Sequence, residues 1–405
     1  MLRTIVSRYR EAYSGLPRDA WALSLVLFID MSGTMVIFFL SLYLTRRLGF
    51  SVFQSGQVLS GYGFGMLFGA LLGGQASDRI GPRKTQQFCM FGAGLSLFAL
   101  GVSRGFGTVF LCVFFYGLFA TALFPAIASA MAEICAPGVR SRGFVLNRLA
   151  SNLGVTIGPV IGGFLAGHDF RLLFWVDGTT CILAGLAISL LFPRSRSAAR
   201  PAAPERPVPR PAWWKDPVLP AILAGTVGVS LIFNQLWGIF PIYVRTVYSL
   251  PERLIGPLFA VNTVVIVLFQ MVLTHGVERF RRGRVAAAGA VFLGLGFGLM
   301  PFGRGWLYGA MTVAVWTIGE MLFIPTATTI VSLRATEESQ GRYQSLLSLA
   351  FGFGFIIGPS LGTRVYESYG GTAVWLGTAG LAVVVAPLFL VGECPRSRRR
   401  AENPE

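Results

Sequence analysis

Long apolar runs, separated by short polar segments rich in arginine, dominate the chain. A polar stretch from Met1 to Asp19 gives way to an apolar run from Trp21 to Leu44. Comparable runs follow at about 54–75, 86–103, 107–133, 145–167 and 171–192, then at about 218–243, 254–275, 286–303, 306–333, 343–365 and 371–392. Each approaches the ~20 residues that an α-helix needs to cross a bilayer. The pattern predicts an all-α membrane protein of twelve transmembrane helices. The first run is too long for the apolar core of a signal peptide and lacks a convincing cleavage site, so it is expected to be retained as the first helix.

The two halves of this pattern are copies. Gly154-Val-Thr-Ile-Gly158-Pro159-Val-Ile-Gly162-Gly163 returns as Gly354-Phe-Ile-Ile-Gly358-Pro359-Ser-Leu-Gly362, displaced by 200 residues. At the same offset Pro17 matches Pro217, Tyr43 matches Tyr243, Arg104-Gly105 matches Arg304-Gly305, and Asp78-Arg79 meets Glu278-Arg279. One spacing for all of these pairs makes chance a poor explanation. Tandem duplication is how many secondary transporters are built. In the glycine motif the side-chain-free positions let neighbouring helices approach closely, and lipid tolerates the proline when neighbours re-satisfy the backbone. Gly61, Gly65, Gly69 and Gly73 place a similar groove along one face of the second span.

Composition agrees with a membrane protein: 54% hydrophobic, 13% charged, with a mean hydropathy of +0.64. The net charge of +16 does not point to nucleic acid, because the basic residues lie between apolar runs. With the N-terminus inside, 26 of the 34 Lys and Arg residues fall on one side, which places both termini in the cytoplasm of a multi-pass inner-membrane protein. The expected organisation is a six-helix bundle over 1–192, a proline- and arginine-rich cytoplasmic linker over 193–216, a second bundle over 217–395 and a basic tail over 396–405. Five cysteines without paired spacing read as free thiols, and two histidines are too few and scattered for a metal site. Neither a phosphate-binding loop nor a nucleophile–base pair occurs, so no cofactor and no enzymatic activity are expected. The expected state is a monomer.

The loop after the second span, Gly74-Gln-Ala-Ser-Asp78-Arg79-Ile-Gly81-Pro82-Arg83-Lys84, resembles a motif of the major facilitator superfamily. Pro82 stands where that family usually has the first of two basic residues. The resemblance implies two six-helix halves and a conformational latch formed by Asp78, Arg79, Arg83, Glu133 and Arg142. Gly154, Gly158, Pro159, Gly162 and Gly163 resemble the fifth-helix packing motif of its drug antiporters. The arginine expected four residues before Gly117 is replaced by Val113. Asp169-Phe170-Arg171-Leu172, with Gly319-Glu320, resembles the MdtH-like multidrug exporters most closely.

Two carboxylates sit near the middle of spans, Asp30 in the first and Glu320 in the tenth. A charge there costs roughly 2.5–3.5 kcal/mol on insertion scales, so each is either a proton carrier or a group hydrogen-bonded between helices. Asp177 lies nearer the outer third of the sixth span and reads as packing or interfacial. The resemblance implies a cavity lined by helices one, four, seven and ten, so Asp30 and Glu320 are expected to face it, and Thr34, Asn234, Gln235, Asn262 and Trp316 are the candidate substrate contacts. So few polar groups suit an amphipathic, largely apolar compound. The expected function is proton-coupled export of small lipophilic or amphipathic molecules by alternating access, with protons and the bilayer as its other partners. The alternative is an uptake symporter or facilitator for a small metabolite.

Overall fold

The computed structural model describes residues 15–136, 138–191, 216–336 and 339–391. Residues 193–215 of the expected linker over 193–216, the basic tail and the segment before residue 15 lie outside them. Among the described residues all regular structure is helical. The first half contains α1 (Arg18–Gly33), α2 (Val36–Arg46), α3 (Val52–Ile80), α4 (Pro82–Val102), α5 (Phe106–Ile134), α6 (Arg140–His168) and α7 (Arg171–Leu191). The second contains α8 (Leu219–Phe233), α9 (Gln235–Thr246), α10 (Glu252–Val277), α11 (Arg282–Gly298), α12 (Trp306–Arg334) and α13 (Gln340–Val385).

Ten helical segments among the described residues are long and apolar enough to cross a membrane, against twelve predicted spans. Two local features account for the difference. The eleventh and twelfth spans run together in α13, where Gly370 breaks the helix at φ 82°. That left-handed conformation suits a residue without Cβ. The second span, α3, is 29 residues long, but its many glycines lower its hydropathy and it is not among the ten.

Pro82, the departure from the family loop, also has a local explanation. Gly81 ends α3 at φ 86° and Pro82 is the first residue of α4. A proline is well placed there, because the N–H it lacks has no partner within the helix. The glycine face of α3 packs on α5 at backbone distance. A Cβ on Gly65, Gly69 or Gly73 would lie 2.0, 2.2 or 2.5 Å from the carbonyl oxygens of Phe114, Leu118 and Ala122.

The chain divides into two compact units: Met1–Phe39 with Gly61–Ala203, and Leu40–Ser60 with Pro204–Glu405. The first contains a buried apolar core of Val26, Leu27, Met31, Met90, Leu123, Ile127 and Ile188. The second is centred on stacked rings, with Phe297 4.3 Å from Trp316 and 5.7 Å from Trp375. Within this second unit, segment 40–60 is held by specific contacts. Glu252 Oε1 accepts from Arg46 at 2.6 Å and from Arg245 at 3.0 Å, and Ser60 meets Ser360 at 2.7 Å.

One element of the repeat has been exchanged. In the first unit Leu16 and Ile134 pack against a cluster that includes Ala20, Leu23 and Met131. At the same offset of 200 the second unit has Asp216 and Arg334, joined by two hydrogen bonds, Nε to Oδ2 at 2.8 Å and Nη2 to Oδ1 at 2.5 Å. Burial by itself raises the Asp216 carboxyl, but Arg334 and the N–H of Val218 outweigh it and hold the group below its ordinary value. Apolar packing and an ion pair thus occupy the same positions in the two repeats.

Candidate functional site

The first helix of each repeat is broken at the same place. α1 ends at Gly33 and α2 begins at Val36, while α8 ends at Phe233 and α9 begins at Gln235. Interrupted spans at matching positions of two repeats are the usual location of transporter binding sites, because they bring free backbone groups to mid-membrane depth. Neither break lies at a proline. The first is held open by a side chain from a neighbouring span, the second by amide side chains of its own residues.

In the first unit Thr34 has ψ 67° and its N–H folds back to the carbonyls of Asp30 and Met31. The N–H of Val36 points to Asp177 Oδ2 at 3.4 Å, and that of Met35 is shared between the Gly33 carbonyl at 2.6 Å and the same carboxylate oxygen at 3.3 Å. A carboxylate at the start of a helical segment is favoured by hydrogen bonding and by the segment's dipole. Asp177 is 1% exposed and Asp30 5% exposed. Between them sits Cys181, its Sγ 3.7 Å from Asp30 Oδ1 and 3.8 Å from Asp177 Oδ1. The sequence reading of Asp177 is packing or interfacial; the structure buries it against the break. The available signal was an Asp-Gly pair inside an apolar span, which is by itself reason to suspect function.

The organising glycines of α6 press on this same turn. A Cβ at Gly154 would lie 2.5 Å from Met31 Cβ and 2.9 Å from the Phe28 carbonyl, and one at Gly162 would lie 2.8 Å from Met35 Cβ. Gly158 faces the carbonyls of Met31, Ser32 and Thr34 at 3.2–3.5 Å. Pro159 and Gly163 are buried on the same helix.

In the second unit the corresponding glycines face the other break, with Gly354 against Ser230 and Gly358 against Asn234 and Leu231. Asn234 donates to the Ser230 carbonyl at 2.7 Å and to its hydroxyl at 2.9 Å. Gln235 donates to the carbonyls of Leu231 and Gly358, both at 2.9 Å. These two amides therefore hold the second break.

Glu320 is not at that break. Its Oε2 accepts from Asn262 at 2.7 Å, and the same amide donates to Thr317 Oγ1 at 3.0 Å, linking α10 to α12. Trp316 is 1% exposed and packs on Phe297 and on Phe240. Thr34 donates to the Asp30 carbonyl at 3.1 Å. The structure thus brings together Asp30, Thr34 and the glycine motif in the first unit, and Asn262 and Glu320 in the second.

Of the residues named for the latch, Asp78, Arg79, Glu133 and Arg142 are exposed near helix ends. Arg83 donates to the Ser189 carbonyl on α7 at 2.9 Å.

The sequence model of the Major Facilitator Superfamily matches residues 22–348 and 314–405. An uncharacterized transporter of this type, YqjV of Bacillus subtilis (strain 168), is 24% identical over 392 residues, covering 93% of this chain and 95% of its own length. The multidrug resistance protein MdtH of Photorhabdus laumondii is 22% identical over 353 residues, covering 83% and 84%. Among solved structures, that of the peptide transporter POT in complex with sulfate superimposes with a TM-score of 0.79. It is 17% identical and covers 94% of this chain and 95% of that one, a likeness of fold alone. With the apolar helices, these similarities identify a multi-pass membrane transporter rather than an enzyme.

Proposed function

We propose that this chain, which belongs to the Major Facilitator Superfamily, exports small lipophilic or amphipathic compounds in exchange for protons. The observation that carries the reading is Asp30, a carboxylate 5% exposed, three residues before the break in the first span. Its side chain is too short to snorkel from mid-membrane depth to the surface, so its charge follows the state of the site around it. Proton entry from outside neutralises it. A cationic or hydrogen-bonding compound arriving from the cytoplasm favours the ionised form and expels the proton. One group serving two ligands in alternation is sufficient for antiport.

Glu320, held by Asn262, is the counterpart in the second unit, and Thr34, Asn234, Gln235 and Trp316 complete the proposed substrate and coupling set. Asp78, Arg79, Arg83, Glu133 and Arg142 form the proposed latch of alternating access. Both termini lie in the cytoplasm, the protein sits in the inner membrane, and it works as a monomer. Export of hydrophobic compounds is supported by the similarity to a protein named for multidrug resistance.

The test uses inside-out membrane vesicles containing the protein, with ethidium as the probe. An imposed inward-acid gradient should drive ethidium accumulation, and collapsing it with nigericin should stop it. Ethidium transport indifferent to the gradient would overturn proton coupling, and movement of probe and protons in the same direction would favour the symport alternative.

A further inference from the structure

We infer that Asp177 is a positioning residue for proton transfer at Asp30, the two carboxylates and Cys181 working as one unit in which Asp177 is the fixed anion. The inference rests on the reading of Asp30 as the proton carrier and assigns a role to its neighbour.

Backbone donors separate the two acids. Asp177 Oδ2 accepts two backbone N–H groups, those of Met35 and Val36, at the start of α2. Those groups, with the segment's dipole, stabilise negative charge on Asp177. Among the described residues no such pair of donors faces Asp30, whose carboxylate shares the Cys181 thiol with Asp177 Oδ1. The thiol carries a single hydrogen, so it satisfies one acid at a time. The mobile proton therefore belongs on Asp30, and environments that differ in this way are how paired carboxylates take separate roles.

Contact through one sulfur also couples the charges. The two Oδ1 atoms can be no further apart than the sum of their distances to Sγ. At that separation a fixed charge displaces its neighbour's titration by roughly one to two pH units at an effective dielectric of 20. The other titratable groups that feel both acids are Tyr62 on α3 and Tyr116 on α5, whose rings are 5.6 Å apart. Asp177 also connects protonation to shape. The N–H groups it accepts lie at the break itself, and α7 touches the break directly, since a Cβ on Gly33 would meet Thr180 Oγ1.

The test needs no substrate. Full-length protein in lipid is titrated on an attenuated-total-reflection infrared cell, following the carbonyl stretch of protonated carboxylic acids. The wild type should show a titrating band that disappears in Asp30→Asn. In Asp177→Asn the band should persist with its midpoint about one pH unit or more lower, because Asp30 then ionises without a fixed negative neighbour. Asp177→Glu should restore the midpoint towards wild type. An unmoved midpoint in Asp177→Asn would reduce Asp177 to a structural cap and overturn the inference. A band that survives in Asp30→Asn would instead remove the premise that Asp30 carries the proton. Should Asp177→Asn not give a monodisperse protein, Cys181→Ala answers the same question. Losing the shared thiol displaces the midpoint if the three groups act together, and an unmoved midpoint rejects that.

Discussion

The exchange of Leu16 and Ile134 for Asp216 and Arg334 allows the ion pair to be measured against an apolar solution found in the same chain. Asp216→Leu leaves the Arg334 guanidinium about four-fifths buried with its two hydrogen bonds gone, and Arg334→Ile leaves Asp216 with the N–H of Val218. Removing one partner of a well-buried pair costs about 3–5 kcal/mol. With side chains 21% and 13% exposed, water offsets part of that, and about 2–3 kcal/mol is expected for each single change. The double variant Asp216→Leu/Arg334→Ile places the first repeat's residues at both positions and should fall within about 1 kcal/mol of wild type, since apolar replacement of buried pairs is often neutral or better. The assay is equilibrium unfolding of purified protein in mixed detergent micelles, read as a double-mutant cycle. The pH dependence supplies a second readout. Because the folded Asp216 carboxyl lies below its ordinary 3.8, its contribution is fully present above that value and is lost as pH falls through the folded value. Wild type should therefore lose stability relative to the double variant on acidification. Single variants as stable as wild type, or a coupling energy near zero, would show that the pair contributes only what a solvated surface pair does.

Three further outcomes follow from the same geometry. Gly154→Ala should destabilise by about 1–3 kcal/mol, because its Cβ meets Met31 and the Phe28 backbone, whereas Gly352→Ala, with open space around it, should be neutral or slightly stabilising; thermal unfolding of the two variants compares them. Asp78→Asn should slow ethidium export without loss of folding, read as initial rates in vesicles against size-exclusion profiles, and an unchanged rate would remove Asp78 from the latch. A single cysteine at position 202, in an otherwise cysteine-free chain, should resist impermeant maleimide in intact cells and react after lysis, as the charge asymmetry requires.

Much of the fold was legible because membrane helices announce themselves by length and apolarity. The predicted span over 107–133 corresponds to α5 (Phe106–Ile134) and that over 306–333 to α12 (Trp306–Arg334). The glycine motif was legible as a packing surface, since small residues at every fourth position have little other use in lipid. Its partner was not. Nothing local in Gly33-Thr34-Met35 marks a break, for the cause lies 142 residues away in Asp177, which accepts the N–H groups at the break. Counting along a straight helix placed Asp177 near the outer third of its span and hid its meeting with Asp30. Asn234 and Gln235 were picked out as polar residues in lipid, but their donors go to backbone carbonyls around the second break. Trp316 is legible as an aromatic residue of the tenth span, but its stacking on Phe297 comes from another helix and leaves no local mark in the sequence. A periodic pattern identifies a helix face without saying what covers it.

The central claim is that Asp30 gives up a proton when substrate binds. It is tested most directly by adding ethidium to purified protein in weakly buffered detergent solution while a pH-sensitive dye records released protons and fluorescence polarisation records binding. Wild type should release protons in proportion to the ethidium bound. Asp30→Asn keeps the shape of the side chain and removes its titration, so it should bind ethidium and release none. Release from Asp30→Asn equal to that of wild type would contradict the account and leave Asp30 a hydrogen-bonding group between helices.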